Sequence, residues 1–263
     1  MTPPITPLGS RYGIQGALGR SVKRGGFSPT DIAGLQLWLD FSDASTLFKD
    51  AGITPVSADG DAICQANDKS GNGYHARQTD SSCRPLYKTG VQNSKSVARF
   101  DGENDFFALS NISVASGSKS LFVVYSNNDS LSGSAEGSHY FLDSQTGRLI
   151  FAGHCHTGFY NKVGFFDGIY WHEIALAING WQSLGFVLAS GGNGTIYRNS
   201  GLLGAEGYTD KAIGGTSYIS RAVTAPISYI TGDVAEMILY DSALSDTDRG
   251  KVETYLNNKW AIY

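Results

Sequence analysis

The chain has 263 residues, a formal net charge of −4 and 17% charged residues. This length fits one large β domain or two small domains, and the mild acidic excess gives no reason to expect nucleic-acid binding. The 33 glycines, 14 tyrosines and 13 phenylalanines favour many short strands joined by glycine turns over a helical protein. No apolar run reaches the roughly 18 residues of a membrane helix, so membrane insertion is not expected.

Residues 1–33 differ in composition from the rest of the chain. They are rich in glycine and proline, and they contain basic residues but no acid before Asp31. Because hydrophobic periodicity is absent, this segment cannot form a core. We predict an extended arm that lies against a partner or a neighbouring subunit, the alternative being a disordered leader. The first residues contain no apolar region typical of a secretory signal.

From Gly34 onward the sequence is typical of a β protein. Strand-length runs of aromatic and β-branched residues alternate with connectors rich in Gly, Asn and Ser. The predicted strands are 35–40, 97–101, 105–110, 120–126, 139–143, 148–153, 171–178, 184–189, 195–199 and 233–241. The pair Asn193-Gly194 predicts a two-residue hairpin turn.

One helix is predicted, at the end of the chain. Ser245 followed by Asp248 resembles a capping box, and Val252, Leu256 and Trp260 recur at helical spacing. Many strands followed by one terminal helix predict an all-β protein. Its fold class is a two-sheet antiparallel β-sandwich of jelly-roll type over residues 34–263, with one C-terminal helix and the extended N-terminal arm.

Five segments of the sequence follow one another in an order seen in one family. They are GLQLWLDFSDASTL, DKSGNGYHARQ, RPLY, VARFDGENDFFAL and GDVAEMILYDSALSDTDRGKVETYLNNKW. From about Gly34 to Trp260 the chain resembles laminin-G-like (concanavalin A-like) jelly-roll domains, in the version common in phage virion proteins and bacterial surface proteins. The resemblance implies binding of glycans or proteins, often with a structural calcium ion.

The resemblance also implies where calcium would bind. Asp68 and Asn72, in the loop DKSGN, and Glu236, on the last predicted strand, would converge on one ion, which needs six to eight oxygen ligands. In the alternative, Asp68 and Asn72 only cap the turn while Glu236 pairs with a neighbouring base. A phosphate site is not expected, because the loop lacks the spacing of a P-loop.

Cysteine and histidine residues do not define a site. Cys64, Cys83 and Cys155 make an odd count, and without an export signal free thiols are expected. His154 and His156 would lie on one face of a strand. Two imidazoles need a third ligand to hold a metal, so a polar edge strand is the alternative.

Enzyme activity is not expected. The E-x-D-x-x-E run of laminarinase-like enzymes is absent from the sequence, so no catalytic residue is assigned. For sugar binding, aromatic platforms could be Tyr160, Trp181 or Tyr208 in loops, whereas Trp38, Trp171 and Trp260 sit in apolar patterns typical of a core.

The resemblance and the arm together suggest a function. They indicate a non-enzymatic phage virion structural protein, a decoration, head-fibre or tail receptor-contact subunit. Residues 1–33 would anchor it to other virion proteins, as a homo-oligomer assembled in the host cytoplasm, and the sandwich would contact a host-surface glycan. The alternative is a freestanding bacterial glycan-binding lectin or a degenerate glycosidase.

Overall fold

The computed structural model describes residue 1 and residues 26–127, 139–154, 162–176 and 180–263. Within these residues, strands β1–β17 form two antiparallel sheets that pack face to face, and one α-helix, α1 (Asp246–Trp260), follows the last strand. The predicted two-sheet sandwich with a C-terminal helix is confirmed. The strands are β1 (Leu35–Asp40), β2 (Leu47–Phe48), β3 (Gln65–Ala66), β4 (Ala76–Arg77), β5 (Leu86–Gln92), β6 (Lys95–Asp101), β7 (Phe107–Val114), β8 (Lys119–Asn127), β9 (His139–Asp143), β10 (Leu149–His154), β11 (Lys162–Asp167), β12 (Trp171–Ala175), β13 (Gly180–Leu188), β14 (Asn193–Arg198), β15 (Gly201–Gly207), β16 (Ile213–Ile219) and β17 (Thr231–Tyr240). Short 3-10 helices span Pro29–Asp31, Ala44–Thr46 and Ser81–Cys83.

The order of strands in the sheets is not their order in the chain. The eight-stranded sheet runs β15-β14-β13-β8-β17-β6-β5, and β1 pairs with the second half of β17. The nine-stranded sheet runs β12-β11-β10-β9-β16-β7-β4-β3-β2. Strands that are far apart in sequence, such as β9 and β16, are therefore neighbours.

The eight-stranded sheet is covered on both faces. On β8, Leu121 and Val123 point into the core between the sheets, while Phe122 and Val124 pack in a second cluster with Trp260 of α1. This double burial explains why β8 is a continuous apolar run instead of an alternating one. The nine-stranded sheet has no such helix over its outer face among the described residues.

The described part of the arm packs on the sandwich. Phe27 contacts Tyr255 edge-on, with ring centroids 6.0 Å apart, and the Tyr240 hydroxyl donates to the carbonyl of buried Pro29 at 3.0 Å. Ser28 caps the first 3-10 helix. These contacts hold residues 27–29 against the sandwich, and residues 2–25 lie outside the described part of the chain. No α-helix among the described residues is long and apolar enough to cross a membrane.

One predicted turn is wrong. Asn193 and Gly194 are the first residues of β14, and the chain reverses just before them, where the Gly192 N–H donates to the Ala189 carbonyl at 3.0 Å. A side chain at Gly194 would meet the Phe165 ring of the opposite sheet, since an added Cβ would lie 2.3 Å from Phe165 Cζ. This glycine allows close packing between sheets rather than a turn.

Candidate functional site

The loop that contains Asp68 is fastened to β1 by hydrogen bonds. Asp68 Oδ1 accepts from the N–H groups of Trp38 (3.0 Å) and Ser70 (2.8 Å), and Oδ2 accepts from the Tyr74 N–H (3.1 Å). The Asn72 amide donates to the Leu35 carbonyl at 3.0 Å. Asp68 and Asn72 therefore fix the shape and position of the loop, as in the alternative to the calcium prediction.

Glu236 belongs to a different network, beneath α1. Its carboxylate is fully buried and accepts hydrogen bonds from Trp38 Nε1 (2.7 Å), the Tyr255 hydroxyl (2.8 Å), Lys259 Nζ (2.8 Å) and Trp260 Nε1 (2.8 Å). Burial raises the pKa of Glu236, and the charge of Lys259 opposes that effect. Four donors, one of them the Lys259 ammonium, satisfy this carboxylate.

These hydrogen bonds bear on the calcium prediction. Trp38 separates the two carboxylates, since its backbone N–H binds Asp68 and its indole binds Glu236. The described residues contain no group of three or more His, Cys, Asp or Glu side chains placed to hold a metal ion. Asp68, Asn72 and Glu236 each have protein hydrogen-bond partners, and calcium binding stays a prediction.

Two of the three aromatic platforms expected from sequence, Trp181 and Tyr208, lie within the described residues. Tyr208 is buried, and its hydroxyl donates to the Gly117 carbonyl at 3.0 Å. Trp181 packs against the cluster beneath α1. Tyr160 lies outside the described residues, as do Cys155 and His156. Trp260 is in the core as predicted.

Trp171 is the important exception, because it is not a core residue. It lies half-buried on the outer face of the nine-stranded sheet, in a row of directly paired residues that crosses seven strands. Side chains paired in this way share one face of a sheet. We call this set the outer-face row: Trp171, Phe166, Ile150, Asp143, Tyr218, Ala108 and Arg77.

One end of the outer-face row is an aromatic cluster with an arginine over it. The Trp171 ring lies 5.3 Å from Phe166 and 5.9 Å from Tyr140, centroid to centroid. The guanidinium carbon of Arg148 lies 5.9 Å from the centre of the Phe166 ring. Trp171, Phe166 and Arg148 are each partly accessible to solvent.

The other end repeats this arrangement with different residues. Phe106 and Tyr218 meet edge-on, with centroids 5.6 Å apart. The Arg221 guanidinium lies 4.8 Å from the centre of each ring. Contacts of this kind hold an arginine in place without neutralising its charge.

A loop of residues 221–228, here the cover loop, lies between the two ends. Its Ala222 packs on Ile150 in a small apolar cluster, and its Val223 N–H donates to Asp143 Oδ2 at 2.7 Å. The other oxygen of Asp143 is buried and has no hydrogen-bond partner. Burial raises the pKa of Asp143 to about 6, while the Val223 N–H and the charge of Arg148 act to lower it.

Sequence analysis missed this surface for a physical reason. Tyr218 and Arg221 lie far along the chain from Phe166 and Trp171, and β11 and β16 were not predicted at all. A usable signal exists in the adjacent pair Phe165-Phe166. Neighbouring residues of a strand point to opposite faces, so a second aromatic after a core aromatic places a large apolar side chain on the outside.

Comparison with known structures identifies the fold. The chain aligns with the receptor-binding domain of botulinum neurotoxin D at a TM-score of 0.58 and 11% identity, covering 87% of this chain and 54% of that domain. It also aligns with the ligand-binding domain of serotype D in complex with N-acetylneuraminic acid, at a TM-score of 0.56 and 11% identity, covering 84% of this chain and 51% of that one. At such identity the likeness defines the class of fold, a β-sandwich of the kind found in receptor-binding domains.

The same comparisons set the limits of what is shared. The chain spans about half the length of these domains. No family model matches the chain, and no curated protein sequence matches it. The neighbours described above are binding domains rather than catalytic ones.

Proposed function

We propose that this protein is a non-enzymatic carbohydrate-binding protein, and that the outer-face row is its glycan-binding surface. The single observation that carries the proposal is the line of half-buried aromatic side chains on the outer face of an antiparallel sheet. Such a face is normally polar where it meets water. Aromatic rings with planar hydrogen-bonding groups beside them are the usual lining of a ligand site.

The two ends of the row offer what a saccharide requires. Trp171 and Phe166 present flat apolar surface for the C–H face of a sugar ring, and so does Tyr218 at the other end. Arg148 and Arg221 supply planar donors next to those rings. The serotype D domain named above was solved with N-acetylneuraminic acid, which supports a glycan as the ligand class without locating a site in this chain.

Hydrolysis is not part of the proposal. A glycosidase needs two carboxyl groups, about 5–5.5 Å apart in retaining enzymes and about 6.5–9.5 Å apart in inverting ones. Asp143 is the one acidic side chain of the outer-face row, and the sequence lacks the E-x-D-x-x-E motif. Binding without cleavage is therefore the function we assign.

The test is a glycan array probed with the full chain and with Trp171→Ala. We expect the wild type to bind a defined set of glycans and the variant to lose about fivefold in affinity, because stacking on an aromatic ring is worth on the order of 1 kcal/mol. Tyr263→Ala is the control, since Tyr263 is a half-exposed aromatic at the helix end of the molecule. Equal binding by wild type and Trp171→Ala would exclude this surface.

At a finer level, we propose that the protein is a phage virion subunit, a decoration, head-fibre or tail receptor-contact protein. The support is its resemblance to the laminin-G-like domains of phage virion proteins and the basic, glycine- and proline-rich composition of residues 1–33. In this proposal the arm attaches a homo-oligomer to other virion proteins during assembly in the host cytoplasm, and the sandwich faces a host-surface glycan.

Removal of residues 2–25 tests the virion proposal, because it keeps Phe27 and its contacts with the sandwich. The truncated chain should stay folded and bind glycan, but it should fail to enter particles in a complementation assay. Normal incorporation of the truncated chain would contradict the anchoring role. A freestanding lectin, the second possibility, predicts that truncation changes neither assembly nor binding.

A further inference from the structure

Three arginines on the outer face of the nine-stranded sheet lack a carboxylate partner. Arg77 ends the outer-face row, Arg221 lies over Tyr218 of that row, and Arg148 lies over Phe166. None of the three forms an ion pair with an Asp or Glu of the described residues, where a pair means an N–O distance of at most 4.0 Å. The outer face thus carries three guanidinium groups without an ion-pair partner among the described residues, whereas Glu173 on the same face is paired with Lys162.

Two arginines elsewhere in the structure do have such partners. Arg99 makes a two-pronged contact with Asp233, with N–O distances of 2.7 and 2.8 Å. Arg249 lies 2.6 Å from Glu253. Among the described residues this kind of pairing is absent at the outer-face arginines, as it is at Arg198 of the other sheet.

Arg148 and Arg221 are also held in place before any ligand binds. Each guanidinium lies over an aromatic ring, 5.9 Å from the ring centre for Arg148 and 4.8 Å for Arg221. Such contacts stabilise a cation within about 6 Å of the ring centre. The Nε atom of each is buried and has no hydrogen-bond partner. A guanidinium fixed by ring contacts keeps its donors for an anion and loses little conformational entropy when it binds one.

The Asp143 carboxylate forms no ion pair with Arg148 or Arg221. One of its oxygens is buried without a hydrogen-bond partner, and the other accepts from Val223. Anions that approach the outer face meet guanidinium groups.

We propose that the outer-face row binds acidic glycans, with Arg148 and Arg221 as the residues that contact the carboxylate or sulfate group of the sugar. This inference rests on the proposed function, since it names the ligand class of the same surface. The sugar ring stacks on Trp171 and Phe166 or on Tyr218, and the acidic substituent lies against the neighbouring guanidinium. A carboxylate is planar and a sulfate is tetrahedral, but each presents two oxygens that can accept the paired N–H groups of an arginine.

The experiment uses the full chain and an array that carries neutral glycans, uronic-acid glycans, sialylated glycans and sulfated glycans. The strongest acidic glycan is then titrated by calorimetry beside the same glycan with its carboxylate reduced to an alcohol or its sulfate removed. The variants are Arg148→Gln and Arg221→Gln. The control is Arg198→Gln, an arginine of β14 in the other sheet that also lacks a carboxylate partner among the described residues.

We expect acidic glycans to give the strongest binding on the array. The wild type should bind the neutralised sugar at least about tenfold more weakly than the charged sugar. At least one of Arg148→Gln and Arg221→Gln should bind the charged sugar at least about tenfold more weakly than the wild type does. Arg198→Gln should bind like the wild type, and affinity should fall with added salt. The carboxylate-bearing and sulfated arms of the array identify which anion is bound. Preferential binding of neutral glycans, unaffected by Arg148→Gln and Arg221→Gln, would overturn this inference and leave the proposed function intact. Absence of binding to any glycan would overturn both.

Discussion

Lys259, in the last turn of α1, donates to the fully buried carboxylate of Glu236 at 2.8 Å. The same ammonium lies 2.7 Å from Asp40 on β1. One cation thereby joins the terminal helix to two paired strands of the eight-stranded sheet. The contact adds to the packing of Val252, Leu256 and Trp260, the buried apolar side chains of α1, on the sheet.

Replacement of Lys259 by Met should destabilise the protein by about 3–5 kcal/mol, because it leaves the buried Glu236 carboxylate without its cation; Asp40 keeps Lys69 at 3.0 Å. The free energy of unfolding in urea measures the effect. Lys251→Met is the matched control: Lys251 pairs with Asp248 at the surface, and such a pair contributes about 0–1 kcal/mol. The double variant Lys259→Met/Glu236→Gln should recover part of the loss. Equal stability of Lys259→Met and Lys251→Met would contradict the role of the buried network.

Gly194→Ala should destabilise the sandwich, because the added methyl group would overlap the Phe165 ring of the opposite sheet. Overpacking of this kind costs about 1–3 kcal/mol. Gly207→Ala is the control, since Gly207 lies in the strand that pairs with β14 and its Cβ would meet nothing within 4 Å. Thermal unfolding of the two variants compares them directly. If Gly194 were only a turn residue, the two substitutions would have similar effects.

The stability of the protein should fall as pH rises from about 4 to about 7, in part through Asp105. Burial and the nearby Asp101 carboxylate raise the pKa of Asp105 to about 7. The folded state therefore binds more protons than the unfolded state between the ordinary pKa of 3.8 and about 7, so the stabilising contribution is complete below that window and is lost above it. Asp105→Asn removes the dependence: its stability should equal that of the wild type near pH 4 and exceed it at pH 8.

Urea unfolding at several pH values measures this difference. Three pKa units would correspond to about 4 kcal/mol at the upper limit, and relaxation of the loop reduces that figure. An asparagine at position 105 can still accept from the Asp101 N–H, as Asp105 does at 3.1 Å, so the hydrogen bond is kept while the charge is removed. A constant stability difference between wild type and Asp105→Asn across this range would rule out titration of Asp105 as the cause.

Calcium removal should leave the melting temperature unchanged. The oxygens of Asp68 and Glu236 already accept hydrogen bonds from protein donors, including the Lys259 ammonium. Differential scanning calorimetry in excess chelator and in millimolar calcium compares the two conditions. A lower melting temperature in chelator, abolished by Asp68→Asn, would instead support the calcium site that the family resemblance implies.

Local patterns in the sequence were reliable where a short segment carries its own constraint. The Ser245 side chain accepts from the Asp248 N–H at 3.2 Å, and α1 begins at Asp246 as the capping residues predicted. Strand β1 spans the residues predicted for it. Strand β15 was missed, because its sequence GLLGAEG lacks the aromatic and β-branched residues by which strands are recognised. Strand β16 was missed as well, because the Gly214-Gly215 pair interrupts its β-branched and aromatic residues.

The candidate site shows where such patterns stop being sufficient. The sequence predicts Trp171 as a core residue, because it begins a strand-length run with several apolar residues, 171–178. In the structure it lies on the outer face, because β12 is an edge strand of a sheet whose outer side has no covering helix in the described part of the chain. Which face of a strand is buried depends on the layers above and below it, and those layers come from distant segments.

The sequence by itself determined the class of fold, the terminal helix and the low charge of the chain, because strand alternation, helix capping and composition act over a few residues. Only the tertiary structure decided that Arg221 lies over Tyr218, and that Phe166 and Trp171 continue the same row. The order of strands in the nine-stranded sheet brings these residues together. That order is set by long-range pairing across the sheet, in which neighbours such as β9 and β16 are separated by many residues of chain.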